Sequence, residues 1–305
     1  MHIFAMAIAG VLAIGNVASD AHDDAALWSL VADLKTNVSA EINAIRSDTK
    51  TFLKDLLQEL DHFEDHVNDR IATILEHAPT TTPKPENPII DCDTYVESFR
   101  KNWITNGEYY IKPDAEKAAM YVYCEFDDDG SWLVFQRRLD GSADFNRDWD
   151  DYALGFGNLS AEHWLGNWNL NVITSAKPYE LRVELEDWDG DRRIANYDYF
   201  HVANESEQFR LTLGEFSGDA YNGMITDSGN MFSTRDRDND LTYDLNQAEE
   251  NRGAWWYTNL SYARLNNPYS HNPRVQPWGG IVWFHWKGYN YSLKYTQMKI
   301  RPKRP

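Results

Sequence analysis

The sequence predicts an α+β protein: a head built on a central antiparallel or mixed sheet, with short helices and long loops, preceded by a long N-terminal helical stalk. Three observations carry this reading. Apolar residues recur at helical spacing from Asp24 to about His77 with no Gly or Pro between them; a Pro- and Thr-rich stretch follows; and from residue 91 onward short alternating runs such as Ser131–Leu139 and Tyr179–Trp188 are separated by turn residues.

The chain opens on MHIFAMAIAGVLAIG, an apolar run too short to cross a bilayer, followed by the small residues of Val17-Ala18-Ser19. That pattern predicts a secretory signal peptide over residues 1–19 and a secreted, extracellular protein. No later segment is long or apolar enough for a membrane span.

Residues 20–77 read as the stalk. Leu27, Leu30, Leu34, Val38, Ile42, Ile45, Phe52, Leu56, Leu60, Phe63, Val67, Ile71 and Ile74 form a continuous stripe, with Thr49 in its one gap. Steps of three and four repeat roughly every eleven residues, which gives a straight or slightly right-handed supercoil. Such a stripe needs a cover, and self-association into a homo-oligomer is the simplest one. Prolines 79, 83, 85 and 88 then stiffen a linker over residues 78–90 and leave the head as residues 91–305.

Composition narrows the function. With 305 residues and 42% apolar content, the chain can bury a large core. A net charge of -19 argues against nucleic acid, whose phosphates require a basic face, and suits divalent cations or plain solubility. In an oxidising compartment the two cysteines, Cys92 and Cys124, are expected to pair, closing a loop worth about 3–4 kcal/mol. The same setting gives meaning to five N-x-S sequons, at Asn37, Asn158, Asn204, Asn259 and Asn290.

Within the head, Val122-Tyr123-Cys124-Glu125, Gly130 to Arg138, DFNRDWDDYALGFGNLSAEHWLGNWNL, YELRVELEDWDGD, FSTRDRDND, GAWWY and the terminal YSLKYTQMKIRP occur in one order. Together these blocks resemble the fibrinogen C-terminal domain of the ficolin and tachylectin type, over essentially the whole head. The resemblance implies a three-part head with the Cys92–Cys124 bridge in its first part, a mixed sheet in its middle and a loop-built third part that carries Ca²⁺ and ligand.

By motif position, the resemblance places calcium on the carboxylates of Asp238 and Asp240 and on backbone carbonyls near Thr242 and Asp244. The chemistry agrees, because alternating Asp236, Asp238 and Asp240 can direct hard oxygen ligands toward one point. An EF-hand is excluded, since its sixth and twelfth positions would need Gly and Glu where this chain has Leu241 and Gln247. The ligand pocket is expected around Asn251, Tyr257, Asn259, Leu260, Ser261 and Trp278. Here the chain departs from the family: Gln247 and Leu260 stand where a second pair of cysteines is usual, and Ser261 where His is usual.

Acid pairs such as Glu186-Asp187 are ordinary in a chain with 48 Asp and Glu, and there is neither an H-E-x-x-H nor a G-x-S-x-G segment. The reading is therefore a non-enzymatic, calcium-binding lectin that recognises acetylated or other glycans in innate immunity. The alternative is an angiopoietin-like or microfibril-associated protein that docks on an extracellular protein ligand.

Overall fold

A computed structural model describes Thr36 and residues 88–99, 104–259 and 261–304. The expected signal peptide, the stalk apart from Thr36, the linker up to residue 87, the Asn37 sequon and the pocket residue Leu260 lie outside the described residues. The chain divides into two compact units, Met1–Thr82 and Pro83–Pro305.

The second unit opens with helix α1 (Cys92–Ser98), whose start is fixed by a reciprocal cap. Asp91 Oδ1 accepts from the Thr94 amide at 2.9 Å and Thr94 Oγ1 accepts from the Asp91 amide at 3.0 Å, so two otherwise orphaned donors are satisfied. Asp91 also forms an ion pair with Lys177. Cys92 is disulfide-bonded to Cys124, with 5.7 Å between the Cα atoms, which ties α1 to the sheet.

Strands β1 (Gly107–Ile111), β2 (Met120–Asp127), β3 (Gly130–Arg138), β4 (Phe156–Gly157), β5 (His163–Trp164), β6 (Tyr179–Glu186), β7 (Arg192–Val202), β8 (Leu211–Leu213), β9 (Phe216–Gly218) and β12 (Tyr295–Pro302) form one ten-stranded sheet. Its main path runs β1-β2-β3-β12-β6-β7-β8. Every pairing in it among the described residues is antiparallel, so the mixed sheet implied by the family resemblance is corrected to an antiparallel one. The physical reason is the connectivity. β2–β3 and β6–β7 are joined by tight acidic turns, and the C-terminal strand β12 enters between β3 and β6 running against both, so no long crossover is needed to align strands in parallel.

Sequence explains the strand faces. In β6 the alternation of Tyr179, Leu181, Val183 and Leu185 with charged residues places one set in the core and the other on the outer face. β3 is buried nearly along its whole length, and its polar end is hydrogen-bonded rather than solvated. On the outer face Lys299, 1% exposed, is held by Glu184 at 2.7 Å, Glu125 at 2.9 Å and Asp127 at 3.5 Å. Helix α3 (Asn167–Ala176) packs against β7, while α2 (Trp149–Leu154) lies toward the loop-built part.

That part is organised by aromatics. Trp164, Phe232 and Trp256 contact one another at centroid separations of 5.1–6.0 Å, and Trp149, Tyr152, Phe209 and Trp255 extend the cluster. Three of its buried indoles find acceptors: Trp255 Nε1 donates to Asp227, Trp256 Nε1 to the Phe209 carbonyl and Trp283 Nε1 to the Ala220 carbonyl, all at 2.8 Å. The two tryptophans of the Gly253–Tyr257 segment are thus core residues on which the surface loops rest.

Candidate functional site

The loop after Phe232 is fixed from both sides. Asn239 donates from its side chain to the Phe232 carbonyl (2.8 Å) and from its backbone to Ser233 Oγ (3.0 Å). Asn246 donates to the carbonyls of Thr234 (3.0 Å) and Arg235 (3.2 Å), and its Oδ1 caps helix α4 (Gln247–Asn251) through the Ala248 amide (2.9 Å). These amides hold the acidic segment against the aromatic core.

The three aspartates separate. Asp236 Oδ1 accepts from the Trp149 amide (2.9 Å) and the Thr234 hydroxyl (2.6 Å), so this carboxylate steadies the start of α2 and does not join the other two. Arg235 pairs with Asp148, and Arg237 with Glu205 while lying over the Trp149 ring, so both basic residues of the run face away. Asp238 and Asp240 are left adjacent, with no ion pair to either among the described residues. Burial, and then the charge of Asp240 beside it, push the Asp238 carboxyl up. Asp240 is oriented by the amides of Thr242 (2.7 Å) and Gln247 (2.8 Å), one on each oxygen, which leaves each oxygen a further lone pair. Asp244 is exposed, with φ +60°. No three His, Cys, Asp or Glu side chains converge among the described residues. The donor set that fits a hard cation is therefore two uncompensated carboxylates supplemented by carbonyls and water, which is chemistry suited to Ca²⁺.

Beyond α4 lies a pocket of about 600 Å³ whose lining includes Asn251, Asn259, Ser261, Arg264, Trp278 and Tyr289. Four residues expected there are brought together: Asn251, Asn259, Ser261 and Trp278. Tyr257 is not. It is fully buried, its hydroxyl donating 2.7 Å to the Gly253 carbonyl, because the whole segment over residues 253–258 that carries it runs through the core. Gly253 itself is required by close approach, since a Cβ there would stand 2.3 Å from the Asn266 carbonyl oxygen.

One wall is a stack of rings. Trp278 lies 5.2 Å from Tyr289 and 6.1 Å from Phe284, and Phe284 and Tyr289 are parallel within 4° at 5.6 Å. Trp278 adopts φ +63°, unfavourable for a bulky side chain, and is held there by its own amide to the Tyr289 carbonyl (2.8 Å) and by Asn267 donating to its carbonyl (2.9 Å). Opposite stands Arg264 on the short strand β10 (Ala263–Arg264), which pairs with β11 (Val282–Trp283). Its guanidinium lies 3.8 Å from the Trp278 ring centroid and donates to Asn251 Oδ1.

Sequence reasoning missed Arg264, and also the buried acids Glu162 and Asp227. Glu162 accepts from four backbone amides, those of Leu139, Asp140, Gly141 and Ala143 at 2.7–3.1 Å, and sits 3.8 Å from Arg138. Asp227 lies behind the pocket, bonded to Trp255, and burial pushes its carboxyl up to about 7. The sequons fall differently. Asn158, Asn204, Asn259 and Asn290 are all exposed, and Asn259 stands at the pocket.

Among the described residues no helix is long and apolar enough to cross a membrane. Residues 90–303 match the family of the C-terminal globular domain of fibrinogen beta and gamma chains. Fibrinogen-like protein 1 of Rattus norvegicus is 41% identical over 228 residues, spanning 70% of this chain and 71% of the relative. Angiopoietin-related protein 7 of Bos taurus is 34% identical over 293 residues, 91% of this chain and 83% of the relative. The solved fibrinogen-like globe domain of human ANGPTL2 superposes with a TM-score of 0.68 at 37% identity, covering 71% of this chain and all of that domain. A chain with this sheet, this disulfide and these matches belongs to the fibrinogen C-terminal domain family.

Proposed function

We propose that the protein is a secreted, non-enzymatic recognition molecule that binds glycans, acetylated ones among them, in the pocket between Asn251 and Trp278, in the service of innate immunity. The observation that carries this reading is the pocket itself. A ring stack that can take the apolar face of a sugar lies opposite Asn251, Asn259 and Ser261, polar groups able to meet hydroxyls and amides. In this reading one Ca²⁺ sits on the carboxylates of Asp238 and Asp240 with carbonyls near Thr242 and Asp244. When bound, it supplies a fixed positive charge that draws the two acids together. The chain's own residues do the rest: Asn246 and Gln247 link that loop to α4, and α4 presents Asn251 to the pocket.

Single-site sugar binding is weak, and the stripe over residues 20–77 would gather several heads into one homo-oligomer with higher avidity. A glycan array probed with the secreted chain, with calcium and with chelator, tests the proposal. Calcium-dependent binding to a coherent set of glycans is expected, and no binding to any glycan would reject it.

A second reading has its own observation. Leu241, Tyr243 and Leu245 are 67%, 95% and 40% exposed beside the pocket, an apolar display suited to a protein ligand, and one similar protein is angiopoietin-related. Saturable binding to a cell-surface protein that a Tyr243→Ser change abolishes, with no glycan bound, would favour it.

A further inference from the structure

Arg264 is 6% exposed, yet it makes no ion pair among the described residues, and its Nε makes no hydrogen bond. Its Nη1 donates to Asn251, and its guanidinium lies over the rings of Trp278 (3.8 Å) and Tyr257 (5.8 Å). Arginine is charged at any physiological pH, and a buried charge without a counter-charge is costly. Of the acids near the pocket, Asp227 is close enough for its charge to act on Arg264 but forms no ion pair with it: it accepts from Trp255, and burial pushes its carboxyl up to about 7. Glu250 is exposed at the rim. A guanidinium without an ion-pair partner among the described residues therefore forms part of the wall of an open pocket whose other wall is aromatic.

We propose that the pocket takes a terminal acidic sugar, whose carboxylate pairs with Arg264 while its ring packs on Trp278 and Tyr289. This rests on the reading of the pocket as a glycan site and names the class of glycan. A planar guanidinium offers paired donors that match a carboxylate, and stacking on Trp278 fixes the plane of that fork. Long polyanions are a poorer fit, because the chain carries a net charge of -19 and Glu250 stands at the entrance. A pocket of about 600 Å³ suits one or two sugar units.

The test uses the secreted full chain in calorimetric titrations at pH 7 and fixed salt. Methyl glucuronide is compared with methyl glucoside, and the methyl glycoside of N-acetylneuraminic acid with its methyl ester, which keeps the acetyl group and loses the charge. The acids are expected to bind at least about tenfold more tightly than their neutral partners. Arg264→Met should abolish that preference, and Arg264→Lys should restore part of it.

The wild-type acid-against-ester ratio decides the matter even if a variant fails to fold. Equal binding of acid and ester overturns the Arg264 assignment while leaving a glycan site in place. Stronger binding to heparin or to a poly-glutamate peptide than to either sugar acid also overturns it. If no sugar, acidic or neutral, binds, the glycan reading falls together with this one.

Discussion

Glu162→Gln is the substitution whose cost the structure defines most completely. Glu162 is 1% exposed and accepts four backbone N–H groups from the loop after β3, three on Oε1 and one on Oε2. It also faces the buried Arg138, whose Nη1 donates to the carbonyls of Leu265 (2.9 Å) and Asn267 (2.7 Å). Those carbonyls follow Arg264 in the chain, so the carboxylate supports the back of the pocket through one intermediary. Glutamine has one carbonyl oxygen and presents an NH₂ where the other oxygen was, so at least one amide loses its acceptor and meets another donor. The charge that offsets Arg138, already brought down to about 10 by burial against the pull of Glu162, is removed as well. Breaking a buried pair on one side costs about 3–5 kcal/mol. For a head of this size, that is a fall of about 6–20 °C in melting temperature. Thermal melts of the secreted chain at pH 7, followed by near-ultraviolet circular dichroism, measure it, with exposed Asp140→Asn as the control. A Glu162→Gln protein melting within about 2 °C of wild type would show that the loop amides and Arg138 find other partners, and the reasoning would fail.

Other consequences are as direct. Lys299→Met leaves Glu125, Asp127 and Glu184 around a centre without positive charge and should cost about 3–5 kcal/mol at pH 7 in urea titration; a loss under about 1 kcal/mol would refute it. Asp227 has a folded value near 7, above the unfolded value of about 3.9, so the folded state holds its proton more tightly. Its contribution is therefore fully present below about pH 4 and declines by up to about 4 kcal/mol as pH rises to 7; Asp227→Asn should flatten that decline in melts at pH 4, 5.5 and 7, and an unchanged slope would refute the assignment. Saturating calcium should raise the wild-type melting temperature, by about 2.7 kcal/mol of stability at a hundredfold excess over Kd, and leave Asp238→Ala unmoved; equal melting of wild type with calcium and with chelator would remove the metal from the proposal.

The parts of this protein that were legible in its sequence are those with a local pattern. Alternation in Tyr179–Glu186 gives a strand with one buried face, and the structure has it. Cys92 and Cys124, two cysteines alone in the chain, are bonded. What sequence could not convey was direction. Asp236, Asp238 and Asp240 alternate identically, yet Asp236 turns to the Trp149 amide because α2, 87 residues earlier in the chain, ends its loop there. Tyr257 continues an aromatic run, and nothing local distinguishes a ring that lines a pocket from one that hydrogen-bonds beneath it. Glu162 and Asp227 were indistinguishable among 48 acids, since burial is decided by strands and loops far away in sequence. Arg264 carried one weak signal, the single charge in an otherwise uncharged stretch, Tyr257 to Leu265, and only its lack of an ion-pair partner among the described residues gives that signal meaning.

The loss of the second cysteine pair places a particular demand on this site. A disulfide across the pocket would restrain the chain in the unfolded state as well as the folded one, whereas hydrogen bonds act only after folding. Gln247, standing where the family carries one of those cysteines, is 9% exposed and ties the acidic loop to α4 through three bonds: its amide donates to Asp240 (2.8 Å), its Nε2 to Thr242 (3.4 Å), and its Oε1 accepts from Asn251 (3.2 Å). Asn251 in turn accepts from Arg264, which stacks on Trp278. The acidic loop, α4 and the aromatic wall are thus connected by a chain of side-chain amides and one guanidinium. Each neutral link contributes about 1 kcal/mol, less than a covalent bridge, so the wall has more freedom to adjust than one closed by a disulfide. A cation on the acidic loop and an anion on Arg264 act at opposite ends of the same chain of bonds. Each would order the links between them and lower the cost of binding the other, so calcium and an acidic ligand should bind with positive cooperativity through this wall.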